Sequence, residues 1–232
     1  MKKALNIIGL VLASHTAFAQ ELNINAPAND HGPAAQIVER GQDFAVYEGT
    51  KLVRSGDGAV DAQTSRFTLV ENGLHYLKDG EWKVSEDLVE PFPDGAIARH
   101  GPNQAIFSPN LNVETVFDIQ TSGGKRLRGG VRAIQATDLA TGKSVTLATV
   151  KDRAPGELMP PNLIVYPDAF DGLAADVVLE WRHNYFAHDV VIRERPELPK
   201  GFDPLTTRLE IVTEIVESPQ PEIREQLMTL KT

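Results

Sequence analysis

From Ile37 to Val216 the sequence is cut into short runs of alternating apolar and polar residues, each closed by a turn signal after about eight to twelve residues. A parallel βαβ arrangement needs long helical patterns between strands, and none occurs before residue 217. The spacing therefore predicts an all-β chain, built as an antiparallel β-sandwich or as stacked sheets.

The turn chemistry locates individual strands. Phe44-Ala45-Val46-Tyr47 runs into Glu48-Gly49, and Arg66-Phe67-Thr68-Leu69-Val70 runs into Glu71-Asn72-Gly73. Asn-Gly fits the positive φ angles of a two-residue turn, so a hairpin is expected with Leu74-His75-Tyr76-Leu77 as its return strand. Lys78-Asp79-Gly80 before Glu81-Trp82-Lys83-Val84 predicts a second hairpin. Further strands are expected at 96–100, 104–108, 115–120, 125–128, 131–137, 144–150, 163–166 and 207–216.

Both ends differ from this texture. Lys2 and Lys3 precede an apolar run from Ala4 to Ala13, and Ala17-Phe18-Ala19 gives a small-x-small cleavage signal. Residues 1–19 read as a secretory signal peptide, because the apolar run falls far short of the roughly 20 residues that span a bilayer. An extended leader follows over residues 20–36, rich in Ala, Asn and Pro. The β domain is expected over 37–217. In 218–232, Pro219 and Pro221 break the strand, and Ile223, Leu227 and Leu230 space a short C-terminal helical tail.

Charge and cysteine usage narrow the setting. The chain of 232 residues has 23 basic and 32 acidic side chains, a formal net charge of −9, and signal cleavage would remove Lys2 and Lys3 as well. Such a surface repels nucleic acid and anionic lipid. With no cysteine there is neither a disulfide nor a lipid-bearing N-terminal cysteine, so burial alone must stabilise the fold. The expectation is a secreted or extracytoplasmic protein, in the periplasm or on the cell surface, with no membrane span once the signal is removed.

The densest chemistry lies in ADVVLEWRHNYFAHDVVIRE, residues 175–194. Val177, Leu179 and Trp181 share one strand face and Asp176, Val178, Glu180 and Arg182 the other. His183-Asn184-Tyr185-Phe186 is expected as the loop, with Asn184 best suited to left-handed geometry. His183 and His188 would hold a metal only if the loop folds back; otherwise they are a loop and a strand histidine among cross-strand charge pairs. Asp168, Asp171 and Asp176 offer oxygen ligands for calcium, although Pro167-Asp168 and Asp171-Gly172 are also what turns require. No other cofactor is expected.

Two further groups are candidates for ligand binding. GGKRLRGGVR, residues 123–132, gathers Lys125, Arg126, Arg128 and Arg132, a set suited to a sulfate, a phosphate or an acidic glycan, or to a solvated hairpin arm between its glycine pairs. Trp82, Trp181, Tyr76 and Tyr185 suit either a sugar-stacking platform or the core. The motifs G-x-S-x-G, H-E-x-x-H, G-x-x-x-x-G-K-[ST] and G-x-G-x-x-G are absent, and no catalytic residue is assigned. Carboxylate pairs for glycoside chemistry leave no signature in sequence spacing.

Val165-Tyr166-Pro167-Asp168-Ala169-Phe170, then Ala175-Asp176-Val177 and His188-Asp189-Val190-Val191-Ile192-Arg193-Glu194, follow one another in order. So do Glu71-Asn72-Gly73-Leu74-His75-Tyr76, Gly80-Glu81-Trp82, Thr141-Gly142-Lys143-Ser144-Val145, Pro160-Pro161-Asn162 and Asp203-Pro204-Leu205-Thr206-Thr207-Arg208-Leu209-Glu210. This pattern, over about residues 37–217, resembles the N-terminal β-rich module of large secreted bacterial surface proteins of the RHS/YD-repeat-associated type. The glycine usual in the hairpin loop of that pattern is missing, and the repeats do not appear in this sequence. The resemblance implies an exported, non-catalytic module with a structural or adhesive role, meeting other envelope proteins or surface glycans. A carbohydrate-binding or glycan-processing domain is the alternative, and a calcium- or zinc-dependent protein a third.

Overall fold

The computed structural model describes residues 35–54, 56 and 58–220. The signal peptide, most of the leader and the C-terminal helical tail lie outside these residues. Within them the secondary structure is entirely antiparallel β, with no helix. In chain order the strands are β1 (Gln36–Gly41), β2 (Phe44–Arg54), β3 (Val60–Val70), β4 (His75–Lys78), β5 (Glu81–Val84), β6 (Glu90–Phe92), β7 (Gly95–Ala98), β8 (Gln104–Phe107) and β9 (Phe117–Gln120). There follow β10 (Arg126–Asp138), β11 (Lys143–Val150), β12 (Glu157–Met159), β13 (Leu163–Tyr166), β14 (Phe170–Asp171), β15 (Ala175–Arg182), β16 (Tyr185–Ile192) and β17 (Thr207–Glu217).

These residues divide into two compact units. The smaller takes residues 35–38 and 46–67, which hold most of a three-stranded sheet ordered β1-β2-β3. Tyr47 and Phe67 stack there with ring centroids 4.9 Å apart, and Val60 and Leu52 are about half exposed. Strand β2 runs straight through Glu48-Gly49, where a turn was expected. Alternation in a long strand continues past a single glycine, which needs a turn only where the backbone demands positive φ.

The larger unit takes residues 39–45 and 68 onward. Its two Gly-containing turns show how one dipeptide signal yields two outcomes. At Asp79-Gly80 both residues have positive φ, 54° and 81°, and β4 pairs with β5 in register from Lys78↔Glu81 to His75↔Val84. That is the type I′ geometry whose twist matches a hairpin. At Asn72-Gly73 only Gly73 has positive φ, 71°. The turn closes locally through Leu74 N–H to Glu71 O, and Asp43 anchors it by accepting the N–H of Gly73 (2.7 Å). The expected hairpin is therefore not formed, and the chain passes from β3 into a separate two-stranded sheet.

Strand β10 organises the rest. Gly129-Gly130, expected to close a hairpin arm, lie inside this 13-residue strand. Their role is close approach: a Cβ on Gly129 would collide with the Glu214 carbonyl of β17, and one on Gly130 would meet Val116 Cγ2 at 2.5 Å. The real turn is at Gly123-Gly124, with Gly124 at φ 74°. Strand β17 pairs along β10 from Arg128↔Glu217 to Asp138↔Thr207, so β9 at residues 126–129 and β11 at 133–138 share the opposite edge. Beyond β9 the eight-stranded sheet continues through β8, β7 and β6, and beyond β11 it ends at β14.

A four-stranded sheet, β12-β13-β15-β16, carries the clearest alternation. Ala175, Val177, Leu179 and Trp181 are buried to 4% exposure or less, whereas Asp176, Val178, Glu180 and Arg182 are only partly covered. The buried set meets Phe107 and Phe117 of the larger sheet in one core: Phe107 is edge-on to Trp181 at 6.1 Å, and Phe117 lies 4.9 Å from Phe186. Each such side chain contributes roughly 1.5–3 kcal/mol by leaving water. Tyr166 joins the same core, with its hydroxyl donating to Ser108 O (2.7 Å), and burial pushes its phenol well above the ordinary range.

Candidate functional site

The turn of the β15–β16 hairpin is shorter than expected. Arg182 pairs with Tyr185, so Tyr185 and Phe186 belong to β16 and only His183-Asn184 lie between the strands. Neither residue has positive φ, so Asn184 does not take left-handed geometry. A carboxylate from another segment holds this turn instead. Asp87 Oδ1 accepts the backbone N–H of His183 (2.9 Å) and lies 2.7 Å from His183 Nδ1. A carboxylate only accepts, so Nδ1 carries the proton.

The other ring nitrogen, Nε2, faces Glu71 Oε1 at 3.3 Å, near enough for charge attraction but not aligned for a hydrogen bond. The side chain is 13% exposed. Gly73 and Gly101 leave room for it: a Cβ on Gly101 would lie 3.3 Å from His183 Cβ. Asn103 completes the surround by donating to His183 O (3.2 Å). Three segments distant in sequence, at residues 71, 87 and 183, are thereby fastened together.

The electrostatics follow from this geometry. The hydrogen bond to Asp87 raises the His183 pKa above its ordinary 6.5; desolvation opposes this, and the charges of Asp87 and Glu71 reinforce it. For Asp87 burial is the largest single influence and acts upward. The bonds from His183, its charge and that of Arg182 together outweigh burial, so the carboxyl ends below its ordinary value. A general base would need Nε2 to face a proton donor. Here it faces a carboxylate, which favours a standing imidazolium.

The other expected metal ligands fall into separate networks. Asp168, at φ 47°, binds Lys151 and Arg193, and its N–H donates to Asp176 Oδ1 (2.6 Å). Arg193 also reaches Asp176 (3.2 Å). Asp168 and Asp176 are thus brought together, but with cations already on them. Asp171 pairs with Thr149 at β14, and His188 Nε2 lies 3.1 Å from Thr213 Oγ1 while its ring stacks on Phe117. Among the described residues no three His, Asp or Glu side chains form a group that could hold a metal ion.

The expected ligand-binding residues also separate. Trp181 is core, 4% exposed, and so offers no stacking face. Tyr185 is 52% exposed on β16; Trp82 is 37% exposed on β5, opposite Leu77. Arg126 grips Asp118 through both Nε and Nη2, and Arg128 lies 3.6 Å from both Asp118 and Glu217. Arg132 ties β10 to Glu214 and to the carbonyls of Val113 and Glu114. Residues 126–129 are thus the return strand of the β9–β10 hairpin, where Arg126 and Arg128, with Arg132 further along β10, tie neighbouring strands together.

Sequence reading missed Asp87 and Glu71, because nothing local marks a carboxylate that meets a histidine across about a hundred residues. It also missed an open cleft of about 490 Å³ beside β4, where Tyr76 alone had been singled out. No protein-family model, curated protein or solved structure matches this chain.

Proposed function

We propose that the chain is an exported, non-catalytic β module with a structural or adhesive role in a bacterial secreted or cell-surface protein of the RHS/YD-repeat-associated type. In this reading the eight-stranded and four-stranded sheets form a β-sandwich, a view supported by the Phe107–Trp181 and Phe117–Phe186 contacts between them. The observation that carries the reading is how the titratable side chains are used. His183 is spent on Asp87 and Glu71, Asp168 on Lys151 and Arg193, and Asp118 on Arg126 and Arg128. Each of these three groups fastens neighbouring segments together. The collinear motifs from Glu71 to Glu210 add the family expectation, and the first 19 residues add export.

Two measurements test it. Expressed from its own start in a bacterial host, the protein should be recovered outside the cytoplasm with Gln20 as its first residue. Fluorescently labelled full chain should coat isolated cell envelopes and be displaced by excess unlabelled chain. Turnover of glycosides or esters by the purified chain, or an envelope signal no higher than that of an unrelated acidic protein, refutes the reading.

A further inference from the structure

We propose that the cleft between β4 and the β7–β8 connection binds the carboxylate of an acidic saccharide, with Lys78 and Arg99 as its anion-binding groups. The inference rests on the adhesive reading above and gives it a ligand class. The cleft measures about 490 Å³ and is lined by Tyr76, Leu77, Lys78, Arg99, His100 and Gln104. That volume lies within the range of small-molecule sites, about 300–1,000 Å³.

Lys78 is exposed and has no ion pair among the described residues, and Arg99, like Arg126, Arg132, Lys151 and Arg193, is bonded to a carboxylate. Arg99 gives only Nε to Glu90 Oε2 (2.8 Å), which fixes the guanidinium and leaves both terminal nitrogens unbonded on a half-exposed side chain. His100 Nε2 shares the same Glu90 oxygen at 3.0 Å. Glu90 thus positions two cleft residues at once, a preorganised arrangement of the kind that gives selectivity.

The mixed lining suits a hydroxyl-rich ligand. Gln104 both donates and accepts, Tyr76 brings an aromatic ring, and Lys78 and Arg99 attract one carboxylate.

Isothermal titration of the full chain at low salt tests this with a galacturonic-acid trimer, a neutral xylose trimer and a glutamate-rich peptide. The acidic trimer should bind at least tenfold more tightly than the neutral one. Lys78→Glu should weaken it at least tenfold without moving the melting temperature, since Lys78 is exposed and unpaired. Arg99→Gln should weaken it comparably. Equal binding by Lys78→Glu, or tighter binding of the peptide than of the acidic trimer, overturns the assignment. If the uronate does not bind while labelled chain still coats envelopes, the ligand class fails and the adhesive reading stands; loss of both overturns both.

Discussion

Asp87→Asn is the most direct probe of the fastening at His183. The asparagine keeps an oxygen for the His183 backbone N–H and for Nδ1, now at 2.9 and 2.7 Å, but removes the charge that favours the imidazolium. Hydrogen bonds to charged groups contribute about 1.5–3 kcal/mol, and the Asp87 side chain is 37% exposed, which reduces this through solvent screening. A loss of about 1–2 kcal/mol is expected near pH 6, or a fall of roughly 2–8 °C in melting temperature for a domain of this size. The pH dependence has a definite sign. The His183 pKa is raised on folding, so its contribution is complete below about 6.5 and fades as pH rises through the folded-state value. The Asp87 pKa is lowered, so its contribution is present above about 3.8 and fades in acid. Urea unfolding of the wild type, Asp87→Asn, His183→Gln and the double variant should therefore give a coupling energy of about 1–2 kcal/mol at pH 5.5 that shrinks by pH 9. A coupling below about 0.5 kcal/mol, or one unchanged across that range, would refute the argument.

Five other substitutions probe the fold. Gly129→Ala should cost about 1–3 kcal/mol by forcing β17 away from β10, while Gly123→Ala, with only Thr121 Oγ1 at 3.9 Å, should be near neutral; equal melting temperatures for the two count against close packing at Gly129. Phe117→Ala should cost about 3–5 kcal/mol in chemical denaturation, because a ring 1% exposed is lost from both Phe186 and His188, whereas Tyr185→Ala should cost under about 0.5 kcal/mol. Tyr166→Phe should cost about 1–3 kcal/mol by leaving Ser108 O without its donor; no change in unfolding midpoint would show that water replaces the hydroxyl.

What the sequence made legible is what neighbours decide. The alternation of Val177, Leu179 and Trp181 and the Asp79-Gly80 hairpin follow from periodicity and from the φ a turn requires, so both emerged from a short window. Gly129-Gly130 and Asn72-Gly73 carry the same local signal with a different outcome, because contacts with Glu214 and Asp43 decide them. Trp181 could be a platform or core on periodicity alone, and Phe107, 74 positions earlier, settles it. His183 was singled out for its chemistry, but its meaning depends on Asp87, and the cleft depends on Glu90 orienting Arg99 and His100. These are pairings across sheets, to which local residue spacing is blind.

The shared edge of β10 also bears on the order of events as the chain is made. β9 and β11 flank it in sequence and can zip onto it early, but β17 comes from 69 to 89 positions further along, from Asp138↔Thr207 to Arg128↔Glu217. Pairings this distant slow folding, because loop-closure entropy must be met before any contact rewards it. Until residue 217 has emerged, one whole side of β10 lacks its partner. A chain emerging N-terminus first thus remains short of its completed sheet until β17 has been synthesised, and β10 spends that interval with an open edge.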